Sequence, residues 1–126
     1  MANLRRLVIA AALLGWFIGA AAAQKKPPIY KPGESGATAP MLVKETKAHY
    51  TDEARAKGIQ GIVELEAVVL EDGTVGDVTV TRSLDDKYGL DQAAVDAMKE
   101  WVFKPGQKDG KAVRVAVTVE MSFTLK

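Results

Sequence analysis

The last stretch of the chain carries the clearest alternation of apolar and polar residues. From Val113 to Leu125 every second residue is large and apolar, and the residues between them are small, polar or charged. The apolar positions are Val113, Val115, Val117, Val119, Met121, Phe123 and Leu125. Successive side chains of a strand point to opposite faces, so the pattern predicts a strand with one apolar face. Burial of these side chains contributes roughly 10–20 kcal/mol before chain entropy is subtracted. We therefore expect this strand to anchor the core.

A hairpin is predicted upstream of it. Gly61 to Leu70 alternates as a strand whose inward residues are Val63, Leu65, Ala67 and Val69. Asp72-Gly73 suits a two-residue turn with positive φ at both central positions. Val75 to Ser83 then forms the return strand, with Val78 and Val80 facing inward and polar residues between them.

Two helices are predicted around the hairpin. Thr51 can cap a short helix, with acidic residues in its first turn and Gly58 at its end. Leu90 to Trp101 has apolar residues at helical spacing, and Asp91 is expected to cap this longer helix. Its apolar stripe is the expected cover for the sheet, and a loop follows over residues 104–111.

The order of these elements predicts an α+β domain. A hairpin, a helix and a final strand give a small antiparallel three-stranded sheet with two helices packed on one face. If the last strand pairs beside the first hairpin strand, it lies at an edge. An edge strand presents unpaired N–H and C=O groups to any extended peptide.

The N-terminal residues 1–23 resemble an export signal. Arg5 and Arg6 precede an apolar segment, Leu7 to Gly19, and the small residues of Ala20 to Ala23 follow. Cleavage after Ala23 would release the protein into the periplasm. The alternative is an uncleaved anchor in the inner membrane over residues 7–23, which as a helix is about 25 Å long, at the lower limit for a bilayer.

A proline- and lysine-rich linker, Gln24 to Pro40, is expected to be extended and to reach about 50 Å. The domain is predicted to occupy residues 41–126. Its first residues, Met41 to Val43, are apolar and either add a short strand or cover the sheet. The chain has no cysteine, so packing rather than disulfides must hold the fold.

Several short motifs together are similar to one known family. They are Tyr50 to Val63, Asp72 to Val75, Val80 to Ser83, Ala97 to Pro105, and Gly110-Lys111. In this order and spacing they resemble the TonB C-terminal domain family, over about residues 40–126. Two features depart from the family pattern: Thr51 stands where proline usually follows the tyrosine, and the apolar N-terminal segment contains no histidine.

The resemblance implies a binding domain that couples an inner-membrane motor to outer-membrane receptors. In this family the last strand and the segment before the first helix receive a receptor peptide by strand addition, which here implicates Val113 to Leu125 and Lys44 to Tyr50. The expected partner-binding residues are Lys47, His49, Tyr50, Arg114, Thr118, Glu120 and Ser122. Motor proteins are expected partners only if the chain is anchored.

Other functions find little support in the residues. His49 is the only histidine, and no cysteine accompanies it, so neither a metal centre nor a catalytic site is expected. Asp85 and Asp86, with Asp91 nearby, are read as a solvated turn rather than a cation site. No cofactor motif is present.

The charge balance bears on the partner. The 17 basic and 16 acidic residues are interspersed, and loss of Arg5 and Arg6 would give a net charge of −1. Nucleic acid is therefore not an expected partner. The alternative to receptor binding is a released scaffold or homodimer formed through the strand edge.

Overall fold

The computed structural model describes residues 27–125, which form seven strands and two α-helices. The strands are β1 (Ile29–Tyr30), β2 (Met41–Lys44), β3 (Gly61–Val69), β4 (Val75–Arg82), β5 (Val102–Lys104), β6 (Gly106–Lys108) and β7 (Lys111–Phe123). The helices are α1 (Asp52–Ala56) and α2 (Leu90–Lys99). A short 3₁₀ turn lies at Glu34–Gly36.

The main sheet has the strand order β1-β7-β3-β4, and β6 also pairs with β7. β3 is antiparallel to both β4 and β7, and its register with β7 runs from Gly61 opposite Phe123 to Val69 opposite Val115. The α+β class and the antiparallel β7-β3-β4 core are as predicted. The sheet is larger and mixed, however, because β1 lies parallel to β7.

The core lies between the inner face of this sheet and the two helices. All four predicted inward residues of β3 are buried, and Val115, Met121 and Phe123 of β7 are buried with them. Helix α2 contributes Leu90, Ala94, Ala97 and Met98, and α1 contributes Ala54. The apolar face of the strands thus packs against the apolar face of α2, as the sequence predicts.

The turn between β3 and β4 is wider than predicted. Leu70 N–H donates to the carbonyl oxygen of Thr74, and Gly73 N–H donates to that of Leu70, which leaves three residues at the tip. Gly73 has φ +87°, whereas Asp72 is not among the residues with positive φ. The Asp72 carboxylate instead accepts hydrogen bonds from the backbone N–H and hydroxyl of Thr74. These two bonds lower the pKa of Asp72, the hydroxyl bond more than the backbone bond.

The start of α2 also differs from the prediction, because Asp91 is not its cap. Gly89 is the N-cap residue and has φ +95°. Asp85 lies five residues before the helix, is 7% exposed, and accepts hydrogen bonds from the N–H groups of Lys87, Tyr88 and Leu90. It is therefore a buried acceptor rather than a solvated turn residue.

Part of the proline-rich stretch contacts the domain. Ile29–Tyr30 pairs with Arg114 and Val115, and Ala37 is buried. Composition predicts an extended chain here but gives no sign of these contacts. Met41–Lys44 forms a strand, which settles the alternatives for those residues: it pairs antiparallel with β5 in a separate two-stranded sheet. Where the domain begins stays a prediction.

The predicted signal or anchor, residues 1–23, lies outside the described residues. Within residues 27–125, no helix is both long and apolar enough to cross a membrane.

Candidate functional site

One side of β7 is open along much of its length. β6 pairs with residues 111–113 and β1 with residues 114–115. Among the described strands, only β3 pairs with residues 116–123, and it covers one side of them. The other side therefore presents backbone N–H and C=O groups that have no strand partner in the described part of the chain.

A groove of about 930 Å³ lies between the C-terminal part of this edge and the irregular segment 45–50. Residues 120–124 of β7 and its extension line one side, and residues 45–50 line the other. Asp52, Arg55 and Trp101 complete the lining. We call this the edge groove.

The indole of Trp101 holds one end of segment 45–50. Its Nε1–H donates a hydrogen bond to the carbonyl oxygen of Thr46 at 2.9 Å. Trp101 is only 8% exposed, and its ring packs at a tilt on Phe103, with centroids 6.2 Å apart. The buried ring thus uses its polar N–H to fix the wall of the groove.

Tyr50 holds the other end. Its hydroxyl donates to the carbonyl oxygen of Ile59, and its ring meets Phe123 edge-to-face with centroids 5.5 Å apart. The guanidinium carbon of Arg55 lies 4.8 Å from the centroid of the same ring. Tyr50 therefore links the segment to the end of β7 and to α1.

A second cavity, of about 320 Å³, lies on the other side of the segment, against α2. Thr46, Lys47 and His49 line both cavities. The segment is consequently a ridge with open space on each side, and the side chains of Lys47 and His49 are exposed on it.

The edge groove brings together five of the seven sequence-predicted site residues. Lys47, His49 and Tyr50 come from the ridge, and Glu120 and Ser122 come from β7. They are separated by about seventy residues in sequence and meet because β7 returns past the entrance to α1. Whether they contact a partner stays a prediction.

The other two predicted residues lie outside the groove. Thr118 is exposed further along β7. Arg114 lies opposite Ile29 of β1, and its Nε donates to Glu71 Oε1 at 2.9 Å. A backbone hydrogen bond and then this bond from Arg114 lower the pKa of the Glu71 carboxyl. Arg114 therefore already has an acidic partner within the chain.

Sequence reasoning did not assign Trp101, Asp52 or Arg55 to the site. Trp101 was predicted to be a core residue, and it is buried, but the partner of its N–H is 55 residues away in sequence. The signal available was chemical: a buried indole N–H usually has an acceptor. Arg55 is five residues after Tyr50 in sequence, but nothing in the motif indicates that its guanidinium lies over the Tyr50 ring.

The lining of the groove is about equally polar and apolar, and no buried polar side chain in it lacks a hydrogen-bond partner. Across residues 27–125, every buried side-chain nitrogen or oxygen has a hydrogen-bond partner. No three His, Cys, Asp or Glu residues in that range are placed to hold a metal ion. Charges of both signs line the groove, from Glu45, Lys47, Asp52, Arg55 and Glu120. The groove therefore offers a partner the unpaired backbone of the strand and the exposed polar side chains that line it.

Comparison with known proteins agrees with this geometry. Residues 46–125 match the sequence model of the family described as the Gram-negative bacterial TonB protein C-terminal. Protein tonB2 of Pseudomonas aeruginosa is 38% identical over 72 residues, covering 57% of this chain and 26% of that protein. The chain thus spans about a quarter of the length of the curated relative.

The fold is similar to a solved structure as well. The solution NMR structure of the Pseudomonas aeruginosa TonB C-terminal domain superposes with a TM-score of 0.57 at 25% identity, over 76% of this chain and 93% of that one. Proteins of the matched family are interaction domains of the cell envelope rather than enzymes, which confirms the expectation of a binding domain. With more than half of its residues matched by the family model, this chain belongs to the TonB C-terminal domain family.

Proposed function

We propose that this protein binds an extended peptide of an outer-membrane TonB-dependent receptor by adding it as a strand to the open side of β7, alongside residues 116–123. The observation that carries the proposal is the open strand edge next to a groove of about 930 Å³. Membership in the TonB C-terminal domain family supports a receptor as the source of the peptide.

Affinity would come mainly from backbone hydrogen bonds, each with a net contribution of about 0.5–1.5 kcal/mol. Specificity would come from side chains that the peptide passes in the edge groove: Lys47, His49 and Tyr50 on the ridge, and Glu120 and Ser122 on β7. Thr118 lies on the same open stretch before the groove. Arg114 lies outside this open stretch, at a position where β7 is already paired with β1, so a peptide along residues 116–123 does not pair with it.

Backbone-modified peptides test strand addition directly. We would screen synthetic peptides that cover the periplasmic N-terminal segments of the cell's TonB-dependent receptors, and then methylate single backbone nitrogens of the tightest binder. Neighbouring N–H groups of a strand point to opposite sides. Methylation at alternate positions should therefore weaken binding by about tenfold, and methylation at the positions between should change it little. Equal effects at all positions, or none, would contradict strand addition.

The proposed cellular setting depends on whether residues 1–23 are cleaved. The protein acts in the periplasm, and energy coupling to inner-membrane motor proteins requires that residues 7–23 stay as an anchor. If residues 29–38 stay on the domain, five residues, 24–28, separate them from the end of the predicted anchor, and five extended residues span about 16 Å. Force transmission would then depend on release of residues 29–38. The intact mass and membrane fractionation of the envelope-derived protein decide between the anchored form and a released form that starts at Gln24.

A second candidate is a homodimer or scaffold in which the same edge pairs with a second copy. The observation that favours it is that an open strand edge is self-complementary in an antiparallel pair. Sedimentation at micromolar concentration, with and without the receptor peptide, separates the two. A monomer that binds peptide favours the receptor role, and a dimer that peptide does not dissociate favours the scaffold.

A further inference from the structure

The protein already places a strand of its own on the open side of β7. β1 lies parallel to β7, with Ile29 opposite Arg114 and Tyr30 opposite Val115. Since the strand order is β1-β7-β3, β1 occupies the side that the proposed peptide would use. It stops where the unpaired stretch begins, at residue 116.

Contacts with β6 hold β1 and the residues that follow it in place. Lys108 Nζ lies 4.9 Å from the centroid of the Tyr30 ring. Thr38 N–H donates to the carbonyl oxygen of Gln107 at 2.8 Å, and Gln107 N–H donates to the hydroxyl of Thr38 at 2.9 Å. Ala37 is 2% exposed. We call residues 29–38 the strap, because they run from β7 to β6 and are fixed at both ends.

The same stretch of chain borders both ends of the open edge. The strap covers residues 114–115 of β7, and the ridge that follows it in sequence flanks residues 120–124. Beyond the strap, residues 116–123 can pair with a strand of about eight residues, which is about 26 Å long and passes the ridge at its far end. The open edge therefore has a fixed start.

We propose that β1 limits the length of peptide that this edge accepts, so that a partner strand pairs with residues 116–123 and gains nothing from extension past Val115. This inference rests on the proposed function. A peptide extended over residues 114–115 must displace Ile29 and Tyr30, and the bonds that it forms replace those that β1 loses. β1 is short, and Ile29 is 51% exposed, so displacement is possible but yields no net gain.

The test compares peptides of two lengths on two variants of the full chain. The tightest eight-residue receptor peptide is extended by three residues at its N-terminus or at its C-terminus, since one of these extensions passes Val115. The variant Ile29→Gly/Tyr30→Gly removes both side chains of β1, including the Tyr30 ring that Lys108 contacts. The matched control, Glu34→Gly/Ser35→Gly, loosens the strap elsewhere, and Ser35 already has φ +52°.

We expect the wild type and the control to bind the extended and the eight-residue peptides within about twofold. The β1 variant should bind one of the extended peptides about tenfold more tightly than the short one, because two more backbone hydrogen bonds form without competition. Backbone amide signals of Ile29 and Tyr30 in the wild type should shift only with that same extended peptide. An equal gain in wild type and variant, or no gain in the variant, would overturn the inference.

The two proposals fail in different ways. If the eight-residue peptide binds and the extensions act alike on every variant, the length limit is wrong and receptor binding stands. If no receptor peptide binds any of the proteins, the proposed function is wrong and the length limit falls with it.

Discussion

The entrances to the two helices are built in opposite ways. The loop before α2, residues 83–89, satisfies its own backbone: Asp85 accepts three N–H groups, and Asp91 accepts from Leu84 and Asp85. The ridge before α1, residues 45–50, is held instead by two aromatic side chains: Trp101 from outside the segment and Tyr50 at its end. A cavity lies on each side of the ridge.

The difference separates stability from binding. The backbone of the loop before α2 is held by the buried Asp85 and by the partly buried Asp91, so these two side chains act on the fold. The ridge is fixed at two points and exposed between them, as a wall that faces an open strand must be. A direct link joins the two, since the Thr51 hydroxyl donates to the carbonyl oxygen of Tyr88 at 2.6 Å.

The largest effect on stability is expected from Asp85→Ala. This change leaves three backbone N–H groups at the closed entrance without an acceptor, so the free energy of unfolding should fall by about 2–4 kcal/mol. Urea denaturation measures it. Asp86→Ala is the matched control, because Asp86 is exposed next to it and should change stability by less than about 0.5 kcal/mol. Equal effects of the two would contradict the capping role.

Trp101→Phe should show the opposite balance. It keeps an aromatic ring but removes the N–H that holds Thr46, so we expect a stability loss of about 1–2 kcal/mol and an approximately tenfold loss of receptor-peptide affinity. Titration calorimetry measures the affinity. Asp85→Asn serves as the control, since it lowers stability at the closed entrance and should leave affinity unchanged. If both variants lose affinity alike, the ridge has no special part in binding.

A smaller effect is expected from acid. Burial raises the pKa of Asp85, but hydrogen bonds from the N–H groups of Tyr88, Leu90 and Lys87 outweigh it and leave the pKa below its ordinary value of 3.8. A carboxylate with a lowered folded-state pKa stabilises the fold above its unfolded pKa, and this contribution is lost as the pH falls through the folded-state pKa.

The free energy of unfolding should therefore decrease below about pH 4. Chemical denaturation at a series of pH values measures this. In Asp85→Asn the decrease should be smaller, because position 85 no longer titrates. The same slope in wild type and variant would show that other acids cause the loss.

The smallest effect on stability is expected from reversing the charge of Glu120. Glu120, at the edge groove, lies directly opposite Glu64 of β3, and like charges in this position destabilise a sheet. Glu120→Lys should raise the free energy of unfolding by about 0.5 kcal/mol, and less in high salt. Glu66→Lys is the control, because its partner is the neutral Thr118. A gain in the control but not at position 120 would refute the pairing argument.

The sequence predicted those elements whose cause is local. Two-residue alternation placed β3, β4 and β7, and the Thr51 cap of α1 was correct: its hydroxyl accepts from Ala54 N–H. The errors came from side chains that had a competing partner. Asp72 binds Thr74 and so widens the turn, and Asp91 binds the loop before α2 instead of capping the helix.

The site was predictable in outline only. The resemblance to the TonB C-terminal domain family pointed to the ridge and the last strand, which the structure brings together. The contact of Trp101 with Thr46 and the pairing of Ile29 with Arg114 join residues far apart in sequence, and neither leaves a periodic trace. Such contacts depend on how the elements are packed, which a pattern along the chain does not contain.

The position of His49 has a practical consequence for spectroscopy. It is the only histidine of the chain, and it lies on the exposed ridge between the two cavities. The two carbon-bound protons of its imidazole are therefore the only histidine ring signals in a proton NMR spectrum, and they report on the place where a partner peptide would arrive. Occupancy of the groove can be followed in the unmodified protein, without an isotope label or an attached dye.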